Sequence, residues 1–398
     1  MSQDSAHHAA TPPLSIRAQS ASGSVIRELL KLAARPQVIS FAGGLPAPES
    51  FPVAALAAAC EQVLAAEGSR ALQYSITDGE LALREQIAAR ETAQGVPTSA
   101  DEVLIVSGSQ QGLDLIARAF IDEGSTVLVE SPTYLGALQA FRLQAPRFVE
   151  LPVDEEGLAP LAIGAAARGA RFAYVMPTFQ NPTGRTLSAE RRAQLAQRAR
   201  ELDLWLVEDD PYGELWYESA PPASLRAHAP ERTLKLGTLS KVLAPGLRLG
   251  YVVGPSAALE VLCRLKQAMD LHTSTFTQRV AARVLADNLL ERHLPAVRQR
   301  YATHCQAMIE AMTEHFPASC RWTRPAGGMF IWVELPADVD AEVLLQDAID
   351  QDVAFVPGSA FYADTPKTNT LRLSFVTVDP ERIRQGIARL GRLLHQRA

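Results

Sequence analysis

The sequence predicts an α/β protein: a mainly parallel, seven-stranded sheet covered by helices, followed by a smaller α+β domain. Two observations carry this. Seven short apolar runs rich in branched residues lie between residues 103 and 254: VLIV (103–106), TVLVE (126–130), RFVELPV (147–153), RFAYVM (171–176), LWLVE (204–208), TLKLG (233–237) and RLGYVVG (248–254). Helical patterns such as SAERRAQLAQRARE (188–201) separate several of them, and apolar strands alternating with helices imply a parallel sheet buried on both faces. After about residue 275 the pattern changes. A long helical stretch, roughly 277–315, leads to FIWVELP, VAFVP and TLRLSF and then a last helix from Pro380.

Before the sheet, residues 1–23, rich in Ser, Ala, His and Pro, are expected to form an unstructured tail. From Ser24 the pattern SVIRELLKLAA puts Ile26, Leu29 and Leu30 on one helical face, with Ser24 as N-cap. VISFAGGLPAP then reads as a short strand entering a turn. The expected organisation is an N-terminal helix and arm at 24–60 joining the small domain, a large domain at 61–285 and a small domain at 286–398.

Composition narrows the function. With 398 residues, 47% of them hydrophobic, the chain can bury a sizeable core, and a net charge of −6 argues against nucleic acid or an anionic membrane as partner. Cys60, Cys263, Cys305 and Cys320 are scattered, without metal-ligand spacing or a disulfide framework. No apolar run approaches the roughly 20 residues that span a bilayer, and the first residues lack a secretory pattern. A cytoplasmic protein without a metal is the expectation.

Parallel sheets bind ligands at the carboxyl ends of their strands, and four segments there carry chemistry. In SGSQQGLDL (107–115) a strand meets a small-residue turn and a helix starts at once; its free N–H groups and the Ser109 hydroxyl could hold an anion, or the turn could simply reverse the chain. QNPTG (180–184) is strong turn chemistry, and it could place the Asn181 amide in the cleft. LWLVEDDPYGEL (204–215) ends a buried strand in three acids; Asp209 could face a cationic ligand, with Tyr212 nearby, or cap a helix. In LGTLSKVLAPGLRLGY (236–251), Lys241 follows Thr238 and Ser240, and Arg248 comes seven residues later. A surface lysine is the ordinary reading of such a position. This one is flanked by apolar residues in a chain whose other lysines are only Lys31, Lys235, Lys266 and Lys367.

In this order and spacing the four segments resemble the fold-type I aminotransferases that depend on pyridoxal 5′-phosphate (PLP), most closely the 2-aminoadipate and kynurenine aminotransferase branch. The resemblance runs from Ser24 to about Leu394 and includes SFAGGLPAPESFP (40–52), LQYSITDGELALRE (72–85) and TLRLSF (370–375). It implies that Lys241 holds the cofactor covalently and carries the proton between substrate and cofactor, since a lysine amine can be both nucleophile and base. Asp209 would pair with the pyridine nitrogen, Tyr212 and Asn181 would bond the phenolic oxygen, and Tyr134 would stack on the ring. Ser109, Gln110, Thr238, Ser240 and Arg248 would hold the phosphate. Tyr74 would reach the phosphate of a neighbouring subunit, which implies a homodimer with shared sites.

On the substrate side the resemblance implies that Arg372 grips the α-carboxylate, a task suited to the planar guanidinium fork, and that Gly44 and the turn around it cover the side chain. Arg27 could meet a distal carboxylate or be an ordinary solvated helix arginine. The expected reaction is transamination between an L-amino acid (2-aminoadipate, aromatic, branched-chain or glutamate) and a 2-oxo acid such as 2-oxoglutarate. The alternatives are a PLP-dependent lyase or decarboxylase, or the effector domain of a transcription regulator. The last would need a DNA-binding domain that about 23 leading residues cannot supply.

Overall fold

The computed structural model describes residues 12–20, 35, 37–164 and 167–397. The seven apolar runs all form strands of one sheet. Its spatial order is Val103–Val106, Gly250–Val253, Thr233–Thr238, Trp205–Asp209, Phe172–Val175, Thr126–Ser131, Arg147–Asp154 and a short eighth strand, Gly157–Leu158. The five strands from Thr233–Thr238 to Arg147–Asp154 pair in parallel, while Gly250–Val253 runs antiparallel to both its neighbours. The eighth strand makes a hairpin with the end of Arg147–Asp154. It has only two residues and no apolar run of its own, so periodicity does not reveal it.

Central strands are buried along their whole length, as in Thr233–Thr238 and Phe172–Val175, because both faces are covered. One face packs into the main core, which is shared with the C-terminal helices. The other packs against the helix Ala189–Glu201 through Leu195 and Ala199, in a cluster with Leu128, Ala173, Val175 and Leu206. Ser188 caps that helix by accepting from the Arg191 N–H, as a serine before a helical pattern should.

A second, antiparallel sheet has the order Arg321–Trp322, Phe330–Glu334, Thr370–Ser374, Val356–Pro357. The two-residue strand Ile39–Ser40 pairs in parallel with Val353–Ala354. Bonds from Phe41 N to Ala354 O (2.7 Å) and Ser374 N to Phe41 O (2.8 Å) extend this tie. They bring the turn around Gly44 alongside the strand that carries Arg372.

Two expectations are corrected. The helical stretch read as 277–315 is two helices, Thr275–Ala286 and Leu289–His315. They separate at Asn288, which takes a left-handed backbone conformation (φ 51°) that asparagine tolerates better than most residues. In the segment read as a tail, Ile16–Ser20 is a short helix, with the Ala18 N–H donating to the Ser15 hydroxyl. The helix expected from Ser24, and Arg27 with it, lie outside the described residues. No helix among the described residues is long and apolar enough to cross a membrane.

Candidate active site

The carboxyl ends of the parallel strands converge on a cavity of about 380 Å³. Most of the residues singled out in the sequence stand in its wall. Ser109 and Gln110 come from the end of Val103–Val106, Tyr134 from the end of Thr126–Ser131, and Asp209 and Tyr212 from the end of Trp205–Asp209. Thr238, Ser240 and Lys241 follow Thr233–Thr238, and Arg248 precedes the antiparallel strand Gly250–Val253 at the same edge. Asn181, Gly44 and Arg372 complete the wall. Tyr74 is the exception: it is 78% exposed, meets His272 edge to face (5.7 Å) and borders a different depression.

One end of the cavity is built for an anion. The helix Ser109–Phe120 begins there with its free N–H groups and positive dipole end, and Ser109, Thr238 and Ser240 stand in the same wall. The Arg248 guanidinium lies against Gly108, where an added Cβ would stand 2.5 Å from it. Gly108 also has a φ of +86°, so both the turn and the close approach require glycine.

The opposite pole is acidic and aromatic. The three acids of the 208–210 run have separate tasks. Glu208 turns away and accepts from Ser224 Oγ and the Leu225 N–H, starting the short helix Leu225–His228. Asp210 accepts from the Gly213 N–H and closes the turn that presents Tyr212. Asp209 alone faces the cavity, and its Oδ2 accepts from the Tyr174 hydroxyl at 2.6 Å. Burial pushes its carboxyl up to about 7, Asp210 and Glu208 add to that, and the Tyr174 bond opposes it.

Lys241 Nζ donates to the Gly44 carbonyl at 2.8 Å. Burial holds this amine down to about 8, helped by the neighbouring Arg372 and Arg248 charges. A lysine with that tuning supplies free base near neutral pH, which suits both nucleophilic attack and proton transfer.

Arg372 is fully buried in Thr370–Ser374. It donates to Asn181 Oδ1 (2.8 Å) and Ala42 O (2.8 Å), and lies over the Phe330 and Phe361 rings at 4.2 and 5.0 Å. Among the described residues it forms no ion pair, and its Nε has no hydrogen-bond partner. Burial lowers its pKa to about 10. A buried guanidinium without a carboxylate is costly, and it borders a cavity of the right size to receive one. Asn181 extends the link by hydrogen-bonding the Tyr212 side chain.

Residues 36–390 match the sequence profile of the family described as aminotransferase class I and II. The chain belongs to that family. Among similar proteins, this aminotransferase is 46% identical over 377 residues to the 2-aminoadipate transaminase of Thermus thermophilus, covering 93% of this chain and 94% of that one. It is 41% identical over 382 residues to aromatic-amino-acid aminotransferase 1 of Thermococcus litoralis, covering 94% and 92%. In three dimensions it superposes with a TM-score of 0.89, at 43% identity and over 96% and 97% of the two chains, on the α-aminoadipate aminotransferase of Thermus thermophilus complexed with N-(5′-phosphopyridoxyl)-L-leucine.

The site holds residues that sequence reading did not single out. Leu45, Leu135, Gly136, Gln139, Met176 and Pro245 also line the aminotransferase cavity. Tyr174, bonded to Asp209, is the most consequential. The sequence run alone does not mark it, because the pairing rests on strand register: Tyr174 is level with Val207 on the neighbouring strand, and Asp209 lies two residues further along the same face.

Proposed function

We propose that the protein catalyses PLP-dependent transamination between an L-amino acid and a 2-oxo acid. The observation that carries this reading is the meeting of Lys241, Asp209 and Arg372 in one cavity whose far end is an anion cradle. The donor set fits the cofactor: Ser109, Gln110, Thr238, Ser240 and Arg248 for its phosphate, Asp209 for the ring nitrogen, Tyr212 and Asn181 for the phenolic oxygen, and Tyr134 against the ring. Lys241 would hold it covalently. When bound, PLP supplies an electron sink for charge developing at the substrate α-carbon.

This chain's residues do the rest. Arg372 orients the amino acid by its α-carboxylate, using donors already aimed into the cavity. Lys241 Nζ, as free base, takes the α-proton and returns it. Buried Asp209, as a carboxylate, would keep a bound ring nitrogen protonated. Exposed Tyr74 supports a homodimer in which it serves the partner's phosphate cradle. The four free cysteines fit a reducing, cytoplasmic setting.

The similarity to proteins named for 2-aminoadipate and aromatic substrates supports those donors, with 2-oxoglutarate as acceptor. The test is a half-reaction. The loaded enzyme is mixed with L-2-aminoadipate alone, and 2-oxo acid is expected in an amount equal to the enzyme. Lys241→Ala releases none. Release of carbon dioxide, or of ammonia without a matching 2-oxo acid and aminated cofactor, would replace transamination with decarboxylation or elimination. A panel of about twenty amino acids with 2-oxoglutarate then ranks donors.

A further inference from the structure

We infer that Tyr174 is a positioning residue for Asp209, fixing the carboxylate that faces the cofactor ring and keeping it in its anionic form. This inference rests on the PLP reading above.

The strands Phe172–Val175 and Trp205–Asp209 are parallel neighbours, with Tyr174 level with Val207. Side chains two residues apart share a face, so Asp209 is the diagonal neighbour of Tyr174, within reach of a long side chain. The resulting 2.6 Å bond is buried at both ends. Among the described residues no other group donates to the Asp209 side chain. The Tyr174 ring is itself anchored, packing edge to face on Phe141 (5.5 Å, 80°), which packs the same way on Phe172 (5.3 Å). The hydroxyl therefore has little freedom to follow a moving carboxylate, and the carboxylate is held to it.

The electrostatics give this bond a specific consequence. Burial, Asp210 and Glu208 all favour the protonated acid, and the phenol is the one partner that favours the carboxylate. With the cofactor bound, Asp209 and the ring nitrogen would share a single proton. Without the Tyr174 hydroxyl the balance moves toward protonated Asp209 and an unprotonated ring. A tyrosine that merely filled space would leave that proton where it was.

The experiment uses full-length enzyme loaded with PLP carrying nitrogen-15 in the ring, comparing wild type with Tyr174→Phe, which keeps the anchored ring. The expected result is a ring-nitrogen resonance moved toward the unprotonated range and PLP retained about tenfold or more weakly, the scale of a hydrogen bond to a charged group. Tyr217→Phe also removes a phenol bond, the half-buried one to the Gly328 carbonyl, and should leave the resonance at its wild-type position. If Tyr174→Phe does not accumulate, Tyr174→Met, smaller, flexible and without a hydroxyl, reads the same quantity. An unmoved resonance and unchanged PLP retention in the variant overturn the role of Tyr174 while leaving the PLP reading intact. Borohydride reduction of the wild type followed by peptide mapping separates the two failures: absence of a phosphopyridoxyl group on Lys241 removes the PLP reading, and this inference with it.

Discussion

Lys235 and Lys241 are six residues apart, on a strand and in the loop that follows it, and the fold treats them in opposite ways. Lys235 Nζ meets both oxygens of Glu91 at 3.0 Å and lies 3.7 Å from Asp210. Burial alone would lower its pKa, but Glu91, Asp210 and Glu208 overcome it and hold the amine well above the ordinary lysine range. Lys241 has a carbonyl for a partner and two guanidiniums for neighbours, so burial wins and the amine is held down to about 8. Desolvation pushes both the same way; the charges around each decide the outcome. One lysine is a fixed cation that supports the Asp209 strand from behind, and the other is a base presented in front of it.

The same substitution at both positions sharpens this contrast. Lys241→Met should abolish transamination: loss of the proton carrier alone accounts for roughly 10²–10⁴-fold, and loss of the covalent anchor adds to it. Its unfolding midpoint in urea near neutral pH should not fall and should rise, because a buried amine whose pKa is held down costs stability in its charged form. Lys235→Met should do the reverse in kind, leaving buried Glu91 and half-buried Asp210 without their cation. That costs about 3–5 kcal/mol of stability, the scale of breaking a buried pair from one side, and a urea titration reads it directly. Pairing it with Glu91→Leu should recover part of the loss. An unaltered midpoint for Lys235→Met would mean that water or a shifted side chain neutralises the acids, and the contrast would fail.

How much of this was legible in the sequence follows the same division. The seven long strands could be read because strands buried on both faces are apolar from end to end. The cavity residues could be read because strand ends gather chemistry and because Lys241 stood out in an arginine-rich chain. The resemblance then supplied a role for each of them. Lys235 was not legible as a structural cation, since its partner Glu91 is 144 residues away on the helix Leu81–Ala93. Tyr174 was hidden for a related reason. Its partner is fixed by strand register, which a sequence run alone does not display. The separate duties of Glu208, Asp209 and Asp210 likewise depend on which face of the strand each side chain takes. Arg372 was expected to need a carboxylate, and the fold instead satisfies it partly with Asn181, the Ala42 carbonyl and two aromatic faces.

Arg372 couples the contrast to substrate. Replacing it with lysine keeps a charge but removes the planar fork and the stacking on Phe330 and Phe361. KM for amino acid donors should rise by about tenfold or more, the scale of a lost charge-assisted bond, while PLP retention stays as in the wild type. The converse, weaker PLP binding with unchanged KM, would move Arg372 from the substrate to the cofactor. Arg372→Leu should in addition let the Lys241 amine of the cofactor-free enzyme titrate at higher pH, because Arg372 is the larger of its two cationic neighbours.

The pH dependence of stability is the most direct test of the sign. In the cofactor-free protein Lys241 titrates near 8 when folded and near 10.5 when unfolded. Between those values the unfolded chain binds more protons, so this group makes stability rise with pH across that window and contributes no slope well below it. Lys235 is raised, so its contribution is fully present below the ordinary lysine range and is lost as pH rises beyond it. Urea titrations at successive pH values from about 7 to 10, comparing wild type with Lys241→Met, should therefore show the mutant lacking an upward component that begins near pH 8. Parallel curves would mean that Lys241 is not held down at all, and that its reactivity must come from the cofactor's proximity alone.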